Sequence, residues 1–174
     1  DYYSLFAVEV YGMSEVEGAK LSAMGAWIRP VAALGAGLLG DRILSSRATS
    51  LGFGLLILGY GVSAWADVSP ATVWVFFFNL VVTSAAVYGL RGVYFALLEE
   101  GAVPAVATGT AVGIVSVIGY SPDVFFSVLA GWLIDTYPGA SGYRYFCLIM
   151  VAFGLTGLVA SLSFTRRKAI SRPA

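Results

Sequence analysis

Long apolar runs, separated by short polar breaks, organise the chain. Five runs are long enough for helices that cross a bilayer, which takes roughly 20 predominantly apolar residues. They far exceed the roughly ten residues of a membrane β-strand, so helices are favoured over a barrel. Because the breaks are short, consecutive helices should be antiparallel neighbours. The predicted spans are residues 21–40, 48–66, 72–98, 106–134 and 145–164.

Both ends of the chain fall outside these spans. Residues 1–11 contain an apolar run that is too short to cross a bilayer, and the chain starts at Asp1 without methionine. We therefore expect residues 1–11 to be the end of a further helix, and the chain to be a fragment of a longer protein. Residues 165–174 are rich in basic side chains and are predicted to form a tail.

The composition points to lipid as the main solvent. Of the 174 residues, 59% are hydrophobic and only 11% are charged, whereas soluble domains are about half apolar and a quarter charged. The fold class is therefore predicted to be all-α, a polytopic membrane helix bundle in contact with the lipid bilayer. The net charge is zero and the basic residues form no stripe, so no nucleic-acid partner is expected.

The residue inventory limits the possible chemistry. The chain has one cysteine, Cys147, and no histidine, so neither a conventional zinc or haem site nor a Ser-His-Asp triad can be assembled. No nucleophile and base stand out elsewhere. We therefore predict no metal, no cofactor and no enzymatic activity.

Basic residues in the connections predict the orientation. Connections that alternate along the chain lie on the same side of the membrane, and lysine and arginine are enriched on the cytoplasmic side. One side collects more basic residues than the other, so the C-terminal tail is predicted to be cytoplasmic. The richer side holds Arg42, Arg47, Arg166, Arg167, Lys168 and Arg172, against Lys20 and Arg144 on the other side.

Three ionisable residues, Arg29, Arg91 and Asp123, lie inside predicted spans. A charge at this depth costs roughly 2.5–3.5 kcal/mol, so such residues usually face a cavity or a partner. Arg29 and Asp123 fall near the membrane midplane, which makes an ion pair between them plausible. In one interpretation the arginines attract an anion into a cavity, and Asp123 balances Arg29 or titrates. In the other, an ion pair only fixes helix packing, and Arg91 extends towards the cytoplasm.

A proline sits beside each midplane charge, Pro30 in one span and Pro122 in the other. Proline frees a backbone carbonyl one turn earlier, and irregular backbone at this depth is tolerated where it lines a cavity or is buried in protein. We expect residues 119–123 to form a flexible, substrate-facing break, with Tyr120 able to hydrogen-bond a substrate. The alternative is an ordinary proline kink that serves packing.

Small residues recur at helical spacing inside the spans and predict faces where helices pack closely. Asn79 is a polar residue inside a span, where it either bonds across helices or lines the cavity. The small-residue sets are Gly109 with Gly113, Ala32 with Ala36 and Gly40, and Ala85 with Gly89.

A short internal similarity suggests a repeat. The segments Gly37-Leu-Leu-Gly-Asp41 and Gly131-Trp-Leu-Ile-Asp135 both read G-x-L-x-D, and each ends a span that contains an earlier proline. The two spans are three helices apart and should end on opposite sides of the membrane. An inverted three-plus-three repeat, which is typical of secondary transporters, would leave this pattern.

Charges also gather where two spans meet the cytoplasm. Asp41, Arg42 and Arg47 follow one span, and Glu99 and Glu100 follow another. Opposite charges at one membrane face could lock that face closed as a cytoplasmic gate. The alternative is that they are solvated loop charges.

The run Gly37-Leu-Leu-Gly-Asp41-Arg42, followed by Arg47, resembles the loop motif G-x-L-x-D-R-x-G-R-K of the major facilitator superfamily. Leu44 replaces the second glycine of the motif, and the later basic residue comes late. Residues 108–123 look like helix 11 in a bacterial branch of sugar- and organic-acid-type transporters of that superfamily.

The resemblance covers the whole chain, as the end of helix 7 through helix 12 of a C-terminal six-helix half. It implies that Arg29, Arg91, Tyr120 and Asp123 face substrate. It also implies that the charges after residue 40 brace the cytoplasmic gate, with Glu99 as the partner of Arg42. A bacterial inner-membrane location follows from the same resemblance.

We therefore expect a fragment of a secondary active transporter, a symporter that moves a small solute by alternating access. Two arginines on the cavity side point to an organic anion, with proton or ion coupling. The missing N-terminal half of the same transporter would be its partner. The alternative is a non-transporting membrane sensor or assembly protein built on the same helices.

Overall fold

The computed structural model of the chain describes residues 2–67, 69 and 72–171. Asp1 and residues 172–174, which include Arg172 of the predicted tail, lie outside this range. The described residues form helices and no strand. The helices are α1 (Tyr2–Glu9), α2 (Glu15–Arg42), α3 (Ser45–Trp65), α4 (Val73–Val93), α5 (Ala96–Glu100), α6 (Ala105–Thr136) and α7 (Ala140–Ser171).

Five of these helices, α2, α3, α4, α6 and α7, are long and apolar enough to cross a membrane. The predicted all-helical membrane bundle with five spans is therefore confirmed. The chain is a polytopic helical membrane protein. The inverted repeat stays a prediction.

The helix α2 begins before the predicted start at residue 21 because Ser14 caps it. The Ser14 hydroxyl accepts a hydrogen bond from the Glu17 N–H at 3.3 Å, and the Glu17 carboxylate accepts one from the Ser14 N–H at 2.9 Å. This reciprocal capping box satisfies two donors that a helix start leaves unpaired. At 28 residues, α2 is about 42 Å long and exceeds the roughly 30 Å hydrocarbon core.

Two other boundaries differ from the predicted ones. The predicted span 72–98 is divided, because α4 ends at Val93 and the short α5 begins at Ala96, with a turn at Tyr94 and Phe95 between them. Residues 165–171 of the predicted tail continue α7 as helix.

Small residues bring α2 and α4 together. A Cβ added to Gly89 would lie 3.2 Å from the Ala36 Cβ, and one added to Gly92 would lie 2.9 Å from the Ala33 carbonyl oxygen. The predicted close-packing role of Ala36 and Gly89 is therefore confirmed. Helix α3 packs against both α4 and α7 and completes this part of the bundle.

The short α1 contributes side chains to the centre of the core. Phe6 is fully buried, and its ring centroid lies 4.8 Å from that of Tyr143 and 5.5 Å from that of Phe146, both on α7. Such edge and tilted contacts suit the charge distribution of aromatic rings. The core is therefore aromatic and joins the first helix to the last.

A buried polar chain runs through this core. The Asn79 side chain on α4 is fully buried; it accepts a hydrogen bond from the Tyr3 hydroxyl at 3.3 Å and donates one to the Tyr143 hydroxyl at 3.1 Å. The Tyr3 hydroxyl also hydrogen-bonds Thr83. Of the two roles left open for Asn79, the structure shows the bond across helices.

The helices α2 and α6 are the least covered of the five spans. Buried residues on α6 are confined to Ala130 and Leu133, near its C-terminal end. On α2 they are Gly18, Leu21 and Gly25, near its N-terminal end. The middle of α6, and the face of α2 that is turned away from α4, are therefore open on the part of the chain that the structure describes.

Candidate functional site

The predicted substrate-facing residues come from three helices and gather in one place. Arg29 lies near the middle of α2, Arg91 lies in the last turn of α4, and Tyr120 and Asp123 lie near the middle of α6. Tyr88, on α4, completes the group through its contacts with both arginines. We call these five residues the midspan cluster.

An ion pair joins α4 to α6 in this cluster. The Arg91 Nη2 atom lies 2.6 Å from Asp123 Oδ1 and 2.7 Å from Oδ2. The side chains are 22% and 59% exposed, respectively, in the described chain. One guanidinium nitrogen therefore contacts both carboxylate oxygens. Arg91 therefore points to α6 and pairs with Asp123, and it does not extend towards the cytoplasm as one of the two interpretations of the sequence had it.

The predicted ion pair between Arg29 and Asp123 is wrong, because the partner of Asp123 is Arg91. The packing explains the difference. Helix α2 lies against α4, so Arg29 meets Tyr88 of that helix. Among the described residues, no carboxylate is within ion-pair distance of Arg29.

Aromatic rings hold both guanidinium groups. The Arg29 Cζ atom lies 4.9 Å from the centroid of the Tyr88 ring, and the Arg91 Cζ atom lies 5.7 Å from the same centroid. Arg91 also lies 4.7 Å from the centroid of the Tyr120 ring. Each such contact contributes about 0.5–2 kcal/mol, more where water is excluded. The rings orient the two cations without neutralising them.

The expected break at residues 119–123 is absent, because α6 continues as one helix through Pro122. The Ser121 hydroxyl donates a hydrogen bond of 2.9 Å to the Ile118 carbonyl, which is the acceptor that Pro122 leaves without its usual N–H donor. Neighbouring serine side chains commonly repair proline sites in membrane helices in this way. Helix α2 likewise continues through Pro30.

The predicted gate pair of Arg42 and Glu99 is also wrong. Neither residue has an ion-pair partner among the described residues. It is Glu100 that crosses to α3, where its carboxylate accepts bonds from the Ser46 N–H at 2.9 Å and the Ser46 hydroxyl at 2.7 Å. Asp41, Arg42 and Arg47 are exposed, so the opposite-charge lock is not formed by them.

The N-terminus of α3 explains why it attracts Glu100. The first N–H groups of a helix have no partner within the helix and favour a negative charge. Leu44, at the cap position, offers no side-chain hydrogen bond. A carboxylate from α5 takes over that role, so α5 is fastened to α3.

Two serines extend this contact to α7. Ser161 donates to the Ser46 carbonyl at 3.1 Å, and its hydroxyl lies 2.8 Å from that of Ser50. Ser46 is fully buried. Ser46 and Ser161 are 115 positions apart in the sequence, so their spacing did not predict this contact. The start of α3, which has no capping side chain, was the feature that could have predicted a carboxylate partner such as Glu100.

We expect Glu100→Ala to lower the stability of the chain by about 1.5–3 kcal/mol, since hydrogen bonds to a charged group are lost. Thermal unfolding in detergent measures the effect. Glu99→Ala is the matched control, because Glu99 is the exposed neighbour, and it should change stability by less than about 0.5 kcal/mol. Equal effects of the two substitutions would contradict the capping role.

The comparisons with known proteins give two relatives. The chain is 32% identical over 182 aligned residues to Inner membrane protein YqcE of Escherichia coli strain K12, an alignment that covers 99% of this chain and 42% of that protein. It is 36% identical over 83 residues to Inner membrane protein YihN of the same organism, covering 48% of this chain and 20% of that protein. No family model and no solved structure matches the chain.

The chain spans less than half the length of the curated relatives that it matches. Both relatives are named for the inner membrane, which agrees with the five apolar helices found here.

Proposed function

We propose that the chain is the C-terminal half of a secondary active transporter of the major facilitator type. It would move a small organic anion across the inner membrane by alternating access, coupled to a proton or another ion. The C-terminal tail would lie in the cytoplasm. The activity is transport and not catalysis.

The observation that carries this proposal is the midspan cluster. Arg29 near the middle of α2, and Arg91 in the last turn of α4, lie inside apolar helices, where a charge is costly unless it serves a partner or a ligand. Only one of them, Arg91, has an ion-pair partner among the described residues. The cluster lies where α2 and α6 are uncovered, so an anion could approach it.

Two further facts support the half-molecule interpretation. The relative that aligns with nearly the whole chain is more than twice as long, which leaves room for a second half of similar size. Rocking of two halves around a central site is the usual mechanism of such transporters. The open parts of α2 and α6 would then face the other half across the site.

The experiment uses the full-length protein that contains this chain, reconstituted in liposomes. Uptake of organic anions is screened, and the best substrate is then tested with Arg29→Ala and Arg91→Ala. We expect either substitution to weaken apparent affinity about 10- to 100-fold, since a hydrogen bond to a charged group is worth about 1.5–3 kcal/mol.

Lys20→Ala is the control, because Lys20 is an exposed basic residue near the start of α2. If both arginine variants transport like the parent protein, anion recognition by the cluster is wrong. If no anion is taken up while the arginine variants lose stability, the cluster serves packing, as in a sensor or assembly protein.

A further inference from the structure

The midspan cluster carries unequal numbers of positive and negative charges. Arg29 and Arg91 contribute two cations, and Asp123 contributes one anion. The Tyr88 and Tyr120 rings orient the cations but add no charge. Counted over these five residues, one positive charge is left over.

The unbalanced charge belongs to the cluster as a unit. The Cζ atoms of Arg29 and Arg91 both lie over the Tyr88 ring, so the distance between them is at most about 11 Å. Salt screens charges that are farther apart than the Debye length, which is ~10 Å in 0.1 M salt, so the two cations are at most weakly screened from each other. In a membrane interior, where water is scarce, screening is weaker still. A ligand bound at Arg29 therefore interacts electrostatically with Arg91 and Asp123 as well.

Donor capacity is also left over. Asp123 is held by the Nη2 atom of Arg91 alone, whereas a guanidinium has five N–H donors on three nitrogens. No hydrogen bond of Arg29 to a described residue is present in the structure. Carboxylates are well matched to such free guanidinium forks.

We propose that the site takes a ligand with a single negative charge, a monocarboxylate whose anionic group binds Arg29. This inference rests on the proposed function and names the substrate class of the same site. A monoanion makes the occupied cluster neutral, whereas a dianion would leave one negative charge and a neutral solute one positive charge. Neutrality is favoured, because uncompensated charge in a low-dielectric site is costly.

The local charge can be measured without knowing the substrate. In the full-length protein with Cys147→Ala, a cysteine is introduced as Gly119→Cys, one helical turn before Asp123, where a Cβ meets only the Tyr94 ring at 3.9 Å. Rates of modification by a sulfonate-bearing and a trimethylammonium-bearing methanethiosulfonate are compared. Gly109→Cys, a second open position on α6, serves as the control site.

We expect the anionic reagent to react faster at residue 119. Arg29→Gln should lower the ratio of anionic to cationic rate by about an order of magnitude, and Asp123→Asn should raise it comparably, as expected for one unit charge nearby at reduced dielectric. The ratio at residue 109 should stay unchanged in both variants. If the ratio at residue 119 does not respond to Arg29→Gln, or if neither reagent reacts there, the inference is overturned.

Ligand charge is tested separately with matched six-carbon polyols. Sorbitol, gluconate and glucarate carry no, one and two negative charges, and their stabilisation of the purified full-length protein is compared, with succinamide, succinamate and succinate as a second series. The monoanion should stabilise most, and Asp123→Asn should shift the preference to the dianion. A dianion preference in the parent protein overturns the inference while leaving anion transport intact.

The two proposals fail differently. One outcome is that the cysteine at residue 119 prefers the anionic reagent but the protein transports none of the anions. This result counts against transport and not against the positive charge of the site. The other outcome is that the cysteine at residue 119 shows no preference for the anionic reagent although the protein transports anions. The other half of the protein would then supply a negative charge that neutralises the site. That result overturns the monoanion inference alone.

Discussion

Reversing one charge of the ion pair, as Arg91→Asp, should abolish the proposed transport and destabilise the bundle by about 2–3 kcal/mol. The substitution removes the charge-assisted hydrogen bonds between Arg91 and Asp123. It also places the new carboxylate opposite that of Asp123. Breaking a fully buried pair costs about 3–5 kcal/mol. Here Asp123 is 59% exposed in the described chain, so the lower range applies. Thermal unfolding and uptake by the full-length protein measure the two effects.

The double reversal, Arg91→Asp with Asp123→Arg, separates structure from recognition. We expect it to restore most of the stability, because the pair forms again with its members exchanged, but not uptake, because the guanidinium moves from α4 to α6. Asp135→Lys is the control, since Asp135 is exposed at the end of α6 and has no ion-pair partner in the described chain. Full recovery of uptake would show that the pair serves packing alone.

Gly92→Val should have the other large effect, a loss of about 3 kcal/mol of stability and of most of the proposed transport. A Cβ at Gly92 would lie 2.9 Å from the Ala33 carbonyl oxygen and 3.3 Å from its Cα. These are backbone atoms, so no side-chain rotation relieves the clash and α2 must move away from α4. Overpacking typically costs about 1–3 kcal/mol, occasionally more, and valine adds two methyl groups beyond that Cβ, so the upper end of this range is expected.

The same displacement would reach the midspan cluster, because Arg91 precedes Gly92 and Arg29 lies one turn before Ala33. Gly54→Val on α3 is the matched control, since a Cβ there meets nothing within 4 Å. Monodispersity and melting temperature in detergent distinguish the two variants. A Gly92→Val protein as stable as Gly54→Val would mean that the contact between α2 and α4 is not tight in the membrane.

The helices could be predicted because each apolar run is a local property of the chain. Small residues at helical spacing predicted that Gly89 and Ala36 lie on closely packed faces, and the structure shows that these two faces meet each other. The same rule is wrong for Gly109 and Gly113 within this chain, where an added Cβ meets nothing within 4 Å. Small residues mark a face on which close approach is possible, and they do not say which helix, if any, occupies it.

The site residues could be located but not paired. Charges inside apolar runs identified Arg29, Arg91 and Asp123, because their cost depends on depth alone. Their partners depend on which helices are neighbours and on how far an arginine side chain reaches. At the end of α5 the expected gate residue, Glu99, is exposed, and it is its neighbour Glu100 that faces α3 and bonds Ser46. Successive residues on a helix point about 100° apart, so sequence alone could not choose between them.

The hydrogen bonds of Asn79 bear on the order in which the bundle is assembled. Its carbonyl partner, Tyr3, is synthesised before it, whereas its amide partner, Tyr143, follows 64 residues later. Until α7 enters the membrane, the Asn79 amide must therefore donate its hydrogen bond to water, lipid headgroups or the insertion machinery, since its acceptor in the folded bundle, the Tyr143 hydroxyl, is not yet in place. Helix α7 therefore completes the polar core, and until Tyr143 is in place the Asn79 amide lacks the acceptor that it has in the folded bundle.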